Sequence, residues 1–379
     1  MTLFSRTDRS FIGQWWWTVD RPMLVALLVL VTFGIVMVTT ASPPVAEHLG
    51  LGYYHFLKRH IIMLVPALVM LIGMSLLQPR DIWRICSLIF IGCIFALILV
   101  LFTGMEIKGA KRWLHIVGFS LQPSEFVKPA FAVVAAWLMA KQKGNPDFRG
   151  NAAAAALYFI TISLLLLQPD FGMTVVVTSI LATQIFLAGF PFRFLIAFGL
   201  TGIGGIIGAY FALPHVKSRI DRFLDPESGD NFQVDKSIEA FQNGGLLGTG
   251  PGQGVVKLGL PDAHADFIFS VAGEELGVFF VLIIIAIFGF IILRGLRRLS
   301  EAHDMFNVLA AGGLLTMFGL QALVHMGSAM HLLPAKGMTL PFISYGGSSI
   351  LSMGLSMGIV LALTRRARKS GISRGGLSL

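Results

Sequence analysis

The chain has 379 residues, 55% of them hydrophobic and only 13% charged, with a net charge of +9 and a mean hydropathy of +0.78. A soluble domain carries about 25% charged residues, so a water-soluble fold is excluded and a polytopic membrane protein is expected. The positive balance then reads as loop charge that orients the chain in a bilayer, and no nucleic-acid partner is implied.

In chain order, residues 1–23 form a polar N-terminal segment with a Trp15-Trp16-Trp17 cluster, the kind of aromatic group that sits at a membrane–water boundary. Apolar runs of spanning length follow at about 24–41, 61–77, 85–104, 123–140, 152–168, 171–189, 194–213, 267–293, 306–333 and 346–364. They predict a single all-α membrane domain over 24–364 with about ten transmembrane helices. The fourth run is unusual in carrying Glu125 and Lys128 near its start. The run from Leu24 is span-length and lacks a small-residue cleavage pattern, so no cleavable signal peptide is expected. Cys86 and Cys93 share a helix face but stand roughly 10 Å apart along the axis, too far for a disulfide.

With the N-terminus inside, the inner segments 1–23, 78–84, 141–151, 190–193, 294–305 and 365–379 carry most of the 29 Lys and Arg. Both termini are therefore expected in the cytoplasm, including the basic tail 365–379, and 214–266 becomes a large extracytoplasmic loop between the seventh and eighth spans. The dense polar clusters then all fall on the outer face: Lys108 to Lys128, Asp170, the loop 214–266, and Lys336 to Ser349. Chemistry or binding at the outer leaflet is the natural expectation.

The stretch PDAHADFIFSVAGEELG (261–277) places Asp262, Asp266, Glu274 and Glu275 where a polar segment meets an apolar run. Carboxylates there are costly unless partnered, which makes them functional candidates; the simpler reading of Asp266 is a helix N-cap. On one helix Glu274 would lie roughly 12 Å deeper than Asp266, so the two could not work as a close pair, and Glu274 or Glu275 would hold helices together. In KGAKRWLHIVGFSLQPSEFVKP (108–129), Lys111, Arg112 and Lys128 could hold a diphosphate. The alternative makes Pro123 an N1 proline, Glu125 a first-turn acid, and Lys108 and Arg112 interface snorkellers. In QPDFG (168–172), Asp170 is most simply a cap. Arg219 and Arg222, three apart, could grip an anionic headgroup or belong to an amphipathic interfacial helix. GGLLGTGPGQG (244–254) lacks the Walker ending and reads as a flexible or cavity-lining loop. LPAKGMTLPFISYGGSS (333–349) is irregular backbone around Lys336, tolerated at membrane depth only when buried in protein or lining a wet cavity.

Taken in series, GAKRW…QPSEFVKP, QPDFG, RFLDP, HADFIFSVAGEELG and LPFISYGGSS resemble the recurrent motifs of the SEDS family of bacterial cell-wall polymerases, over about residues 20–365. Lys336 and the Ser348-Ser349 pair resemble its division-type branch. The resemblance implies a peptidoglycan glycosyltransferase that polymerises lipid II in the bacterial cytoplasmic (inner) membrane, at the division septum. It implies Asp266 as the essential acid, acting as base in an inverting reaction. It also brings Gln122, Lys128, Lys336 and Ser344 into a candidate substrate-binding set with Lys111, Arg112, Arg219 and Arg222. A divalent cation (Mg or Mn) and no nucleotide are expected, together with a class B penicillin-binding protein and other divisome membrane proteins as partners. A lipid II flippase or a scaffold without chemistry are the competing readings; the apolar inner half of the chain favours the enzyme.

Overall fold

A computed structural model describes residues 10–107, 110–116, 119–212, 214–224, 232–334 and 337–366. Helix α1 (Phe11–Thr18) precedes α2 (Arg21–His48), α3 (His55–Leu76) and α4 (Pro79–Thr103). After a small sheet come α5 (Pro123–Gly144), α6 (Gly150–Leu167), α7 (Phe171–Leu187) and α8 (Phe192–Ala212). The long loop contains α9 (Pro214–Leu224) and α10 (Phe232–Gly244), and α11 (Ile268–Ser300), α12 (Met305–Ala329) and α13 (Gly347–Leu363) complete the bundle. Each of the ten predicted spans is thus a helix, and six of them, α2, α3, α4, α6, α11 and α12, are long and apolar enough to cross a membrane. The chain is an all-α polytopic membrane protein.

The helices begin where local chemistry tells them to. Pro79 and Pro123 open α4 and α5, where a missing N–H costs nothing. Asp20, Asp170 and Asp304 accept from Met23 N (3.2 Å), Met173 N (3.4 Å) and Phe306 N (2.9 Å), capping α2, α7 and α12. Within the bundle α13 packs along α3, and Gly354 and Gly358 let it approach the carbonyls of Ala67 and Leu71. α5 is enclosed by α4, α6, α7, α12 and α13. α4 turns Leu88, Phe95 and Phe102 outward, the pattern of a lipid-facing surface.

Two features depart from the sequence reading. The connection between the third and fourth spans is a three-stranded antiparallel sheet, β1 (Met105–Ile107), β2 (Ala110–Ile116) and β3 (Phe119–Leu121), in the order β1-β2-β3. The second departure is a break in α11 at Gly277, where φ is 78° and ψ 173°. The carbonyls freed by the break accept from Thr249 N (onto Glu274, 2.9 Å) and Gly250 N (onto Glu275, 2.9 Å). The freed amides of Val278 and Phe279 donate to Gly245 O (3.0 Å) and Leu246 O (3.3 Å). The glycine segment, expected to be flexible or to line a cavity, instead fills the gap in α11 and satisfies its backbone. That is what hydrocarbon surroundings demand of a broken helix.

At the far end of the bundle, buried Asp20 joins the start of α2 to the end of α11 through Arg294 (2.9 Å) and Arg298 (2.6 Å). Burial by itself would raise the Asp20 pKa, but the two arginines win and hold it below the ordinary carboxylate value.

Candidate active site

Residues 261–267 form a run of turns ahead of α11, held by Ala265 N and Asp266 N donating to Asp262 O at 2.9 and 3.0 Å. α11 begins at Ile268, with Phe267 in the cap position and no side-chain cap bond there. Asp266 therefore sits one residue outside the capping position, half-buried, and the helical relation to Glu274 read from the sequence does not hold.

The loop 337–346 folds over this turn. Gly337 has φ +57°, and a methyl on it would lie 3.1 Å from Asp266 Oδ2. Ser344 stitches the two segments together: its hydroxyl donates to Ala265 O (2.7 Å) and accepts from Leu340 N (2.8 Å). Tyr345 N donates to His264 O at 3.0 Å. The His264 ring packs 4.3 Å from Phe56 and 5.0 Å from Tyr345, centroid to centroid. Burial pushes the His264 imidazole down to about 4, against the opposing pull of Asp262, so it is neutral at physiological pH. Burial likewise raises the Tyr345 phenol, opposed by nearby Arg59.

On the other flank, Gln122 N donates to Ser348 Oγ (2.9 Å), joining the start of α5 to the start of α13. The N-terminal ends of α3, α5 and α13 and the turn before α11 thus meet at one end of the bundle. Helix N-termini carry partial positive charge, which suits an anionic ligand.

The predicted binding residues fall into separate groups. Lys111 is exposed on β2 and makes no ion pair among the described residues. Arg112 is committed to the protein. It donates to Pro169 O (2.6 Å) and Gln168 O (3.1 Å) and stands 3.8 Å from Asp170, tying the sheet to the α6–α7 turn. Lys128 corrects the expectation of a headgroup contact: it is 0% exposed, paired with Glu125 at 2.8 Å and 3.1 Å from Met173 Sδ. Placed one turn apart in an enclosed helix, the two charges neutralise each other inside α5. Gln122 and Ser344 are buried; Ser344 bridges the two segments as described, and Gln122 Nε2 donates to Ser124 Oγ two residues on, at 3.0 Å. Arg219 and Arg222 lie on α9, with side chains outside the described residues, and Lys336 lies outside them altogether.

Glu274 and Glu275 do hold segments together. Glu274 accepts from Val255 N (2.7 Å), Val256 N (2.7 Å), Lys257 N (3.0 Å) and Asn243 Nδ2 (2.9 Å). Glu275 pairs with buried Lys257, whose ammonium also donates to Thr40 O at 3.0 Å. Sequence reasoning passed over Lys257, His264, Gly337 and Tyr345. His264, Gly337 and Tyr345 lay inside recognised motifs without being singled out, and Lys257 fell between motifs with no periodic signal to mark it.

A family model described as "Cell cycle protein", covering FtsW, RodA and SpoVE, matches residues 21–369. The chain belongs to the FtsW/RodA/SpoVE (SEDS) family. This SEDS protein is 43% identical to the probable peptidoglycan glycosyltransferase FtsW of Caulobacter vibrioides, over 96% of this chain and 93% of that one. It is 34% identical to the stage V sporulation protein E of Bacillus subtilis, over 92% of this chain and 98% of that one. Its fold matches a chain of a peptidoglycan synthase complex that coordinates polymerization and crosslinking, at TM-score 0.75 and 26% identity, covering 91% and 97% of the two chains. The rod shape determining protein RodA of Thermus thermophilus shares the fold at TM-score 0.67 and 24% identity, covering 92% and 97%.

Proposed function

We propose that this SEDS protein is a peptidoglycan glycosyltransferase of the FtsW type, joining lipid II units into β-1,4 glycan strands at the outer face of the membrane during cell division. The observation that carries the mechanism is the station of Asp266: a half-buried carboxylate, outside the cap position of α11, set against Gly337 where helix N-termini meet.

The 4-hydroxyl of the acceptor sugar attacks the anomeric carbon of the donor from the face opposite the diphosphate. Its proton passes to the Asp266 carboxylate, a contribution of about 10²–10⁴-fold for a positioned base. The new C–O bond forms as the bond to the diphosphate breaks, and the diphosphate leaves with the electron pair. The anomeric centre inverts, so a single base suffices. Positive charge for the leaving group comes from Lys111, exposed on β2. Arg219, Arg222 and Lys336 are proposed to contribute alongside it. The reading extends to a divalent cation, Mg or Mn, that arrives with the substrate diphosphate. The described residues hold no cluster of three His, Cys, Asp or Glu side chains, so they offer no cage for it.

The partners proposed are lipid II, a class B penicillin-binding protein that crosslinks the product, and other divisome membrane proteins at the septum. The relative in the peptidoglycan synthase complex supports the second of these. Against transport, Glu274 is consumed by Asn243 and the 255–257 amides, Glu275 is paired with Lys257, and both carboxylates are buried. The test uses purified protein in detergent with its transpeptidase partner and fluorescent lipid II. In the absence of any compartment, glycan ladders on a gel support polymerisation; a bound partner with no ladder contradicts it.

A further inference from the structure

We propose that His325 is a positioning residue for Asp266, acting through the backbone of the loop that faces it. His325 lies near the end of α12 and is 0% exposed, with Nδ1 2.6 Å from Met338 O. A carbonyl can only accept, so Nδ1 carries the proton and donates it. Met338 directly follows Gly337, the residue that meets Asp266.

The loop needs such an anchor. Gly337 is held at φ +57°, and glycine has the widest choice of alternative backbone conformations. Thr339 is fixed by Ser349 (2.6 Å) and Leu340 by Ser344 (2.8 Å), but both partners belong to the same stretch of chain, C-terminal to the approach. His325 comes from a separate helix and grips the residue adjoining Gly337. It ties the loop to α12, which in turn contacts α11 and α5.

A second observation separates this role from core filling. His325 Nε2 and both amide atoms of Gln321, one turn earlier on α12 and also 0% exposed, are buried and meet no hydrogen-bonding side chain or backbone group among the described residues. Buried polar atoms in native proteins are nearly always paired. Packing alone would be better served by an apolar side chain, and the Met338 bond is the interaction for which a ring nitrogen is required.

The proposal rests on the reading of Asp266 as the base, and its test is built so that the two can fail separately. His325→Asn keeps an N–H near the Nδ1 position, whereas His325→Leu fills the space without a donor. Both are prepared as full-length protein with the transpeptidase partner. Two quantities are measured: kcat and KM for lipid II, and backbone hydrogen exchange over 337–342. We expect His325→Leu to lower kcat at least tenfold with KM within twofold, and to speed exchange at Met338–Leu340 at least tenfold. His325→Asn should stay within threefold of wild type on both. Wild-type kcat and exchange in His325→Leu would overturn the proposal. So would equal losses in both variants accompanied by equal drops in melting temperature, which would mark a packing role. If wild type itself makes no glycan, the reading of Asp266 fails, and exchange alone decides whether His325 holds the loop.

Discussion

Gly337 and Asp266 face each other across two separate segments of the chain: a methyl placed on Gly337 would stand 3.1 Å from Asp266 Oδ2. The pairing brings the turn before α11 and the loop before α13 into one site, and it depends on the absence of a side chain at Gly337.

Gly337→Ala tests that dependence. Alanine at φ +57° costs about 1–2 kcal/mol, and its methyl crowds the carboxylate. Polymerisation should fall about tenfold, since each 1.4 kcal/mol at the transition state is a factor of ten, with only a few degrees lost in melting temperature. A variant as active as wild type would show that the contact does not matter to the site.

Lys257 and Glu275 form a buried pair that fastens the glycine segment to α11, alongside the Glu274 nest. Removing one partner leaves an uncompensated charge, at a cost of about 3–5 kcal/mol. Lys257→Met and Glu275→Leu should each lower the melting temperature substantially. The double replacement Lys257→Met/Glu275→Leu should lose much less than the sum. Additive losses in this double-mutant cycle would mean that the two side chains act independently.

Lys111 and Arg112 are neighbours with different work. Lys111→Ala should raise KM for lipid II several-fold and leave thermal stability unchanged, because its side chain is exposed on β2. Arg112→Ala should lower thermal stability by freeing the α6–α7 turn at Gln168–Asp170. Arg112→Lys should not restore it, because an ammonium cannot reproduce the planar fork. The opposite assignment of effects would make Arg112 the headgroup contact.

His264 gives the site a pH dependence. Its folded-state pKa of about 4 lies below the unfolded value of 6.5, so between those values the unfolded chain binds the extra proton. The stability from a neutral, buried ring is fully present above 6.5 and is lost as pH falls toward 4, by at most about 1.4 kcal/mol per pH step. Melting temperature should therefore drop between pH 7 and 5, and His264→Phe, which keeps the stacking on Phe56 and Tyr345, should flatten the drop. An equally steep profile in that variant would assign the effect to other groups.

The sequence was legible where physics leaves a periodic or positional mark. Ten spans followed from apolar length, the start of α5 from Pro123, and the cap of α7 from Asp170. Asp266 stood out as a carboxylate at the start of an apolar run. What could not be read depended on contacts between distant segments. The glycine segment looked free because its partner, the break at Gly277, lies more than twenty residues on and leaves no hydropathy signal. Lys128 looked like a binding base because its enclosure comes from α4, α6, α7, α12 and α13 packing around α5. β2 was missed because AKRWLHI, with Lys111-Arg112 and Trp113-Leu114 side by side, shows no period-two alternation. His325 was detectable in principle, as an ionisable residue within a predicted span, but only the fold places it beside Met338.

The central claim is that Asp266 takes the proton from the acceptor hydroxyl, and Asp266→Asn tests it most directly, keeping the shape and removing the base. Glycan synthesis from fluorescent lipid II would be followed in purified wild type and variant, each with the transpeptidase partner, alongside lipid II binding. The account predicts ladders from wild type, at least a hundredfold loss in Asp266→Asn, and lipid II affinity retained within a few-fold. Equal ladders from both proteins would contradict it and remove Asp266 from the chemistry.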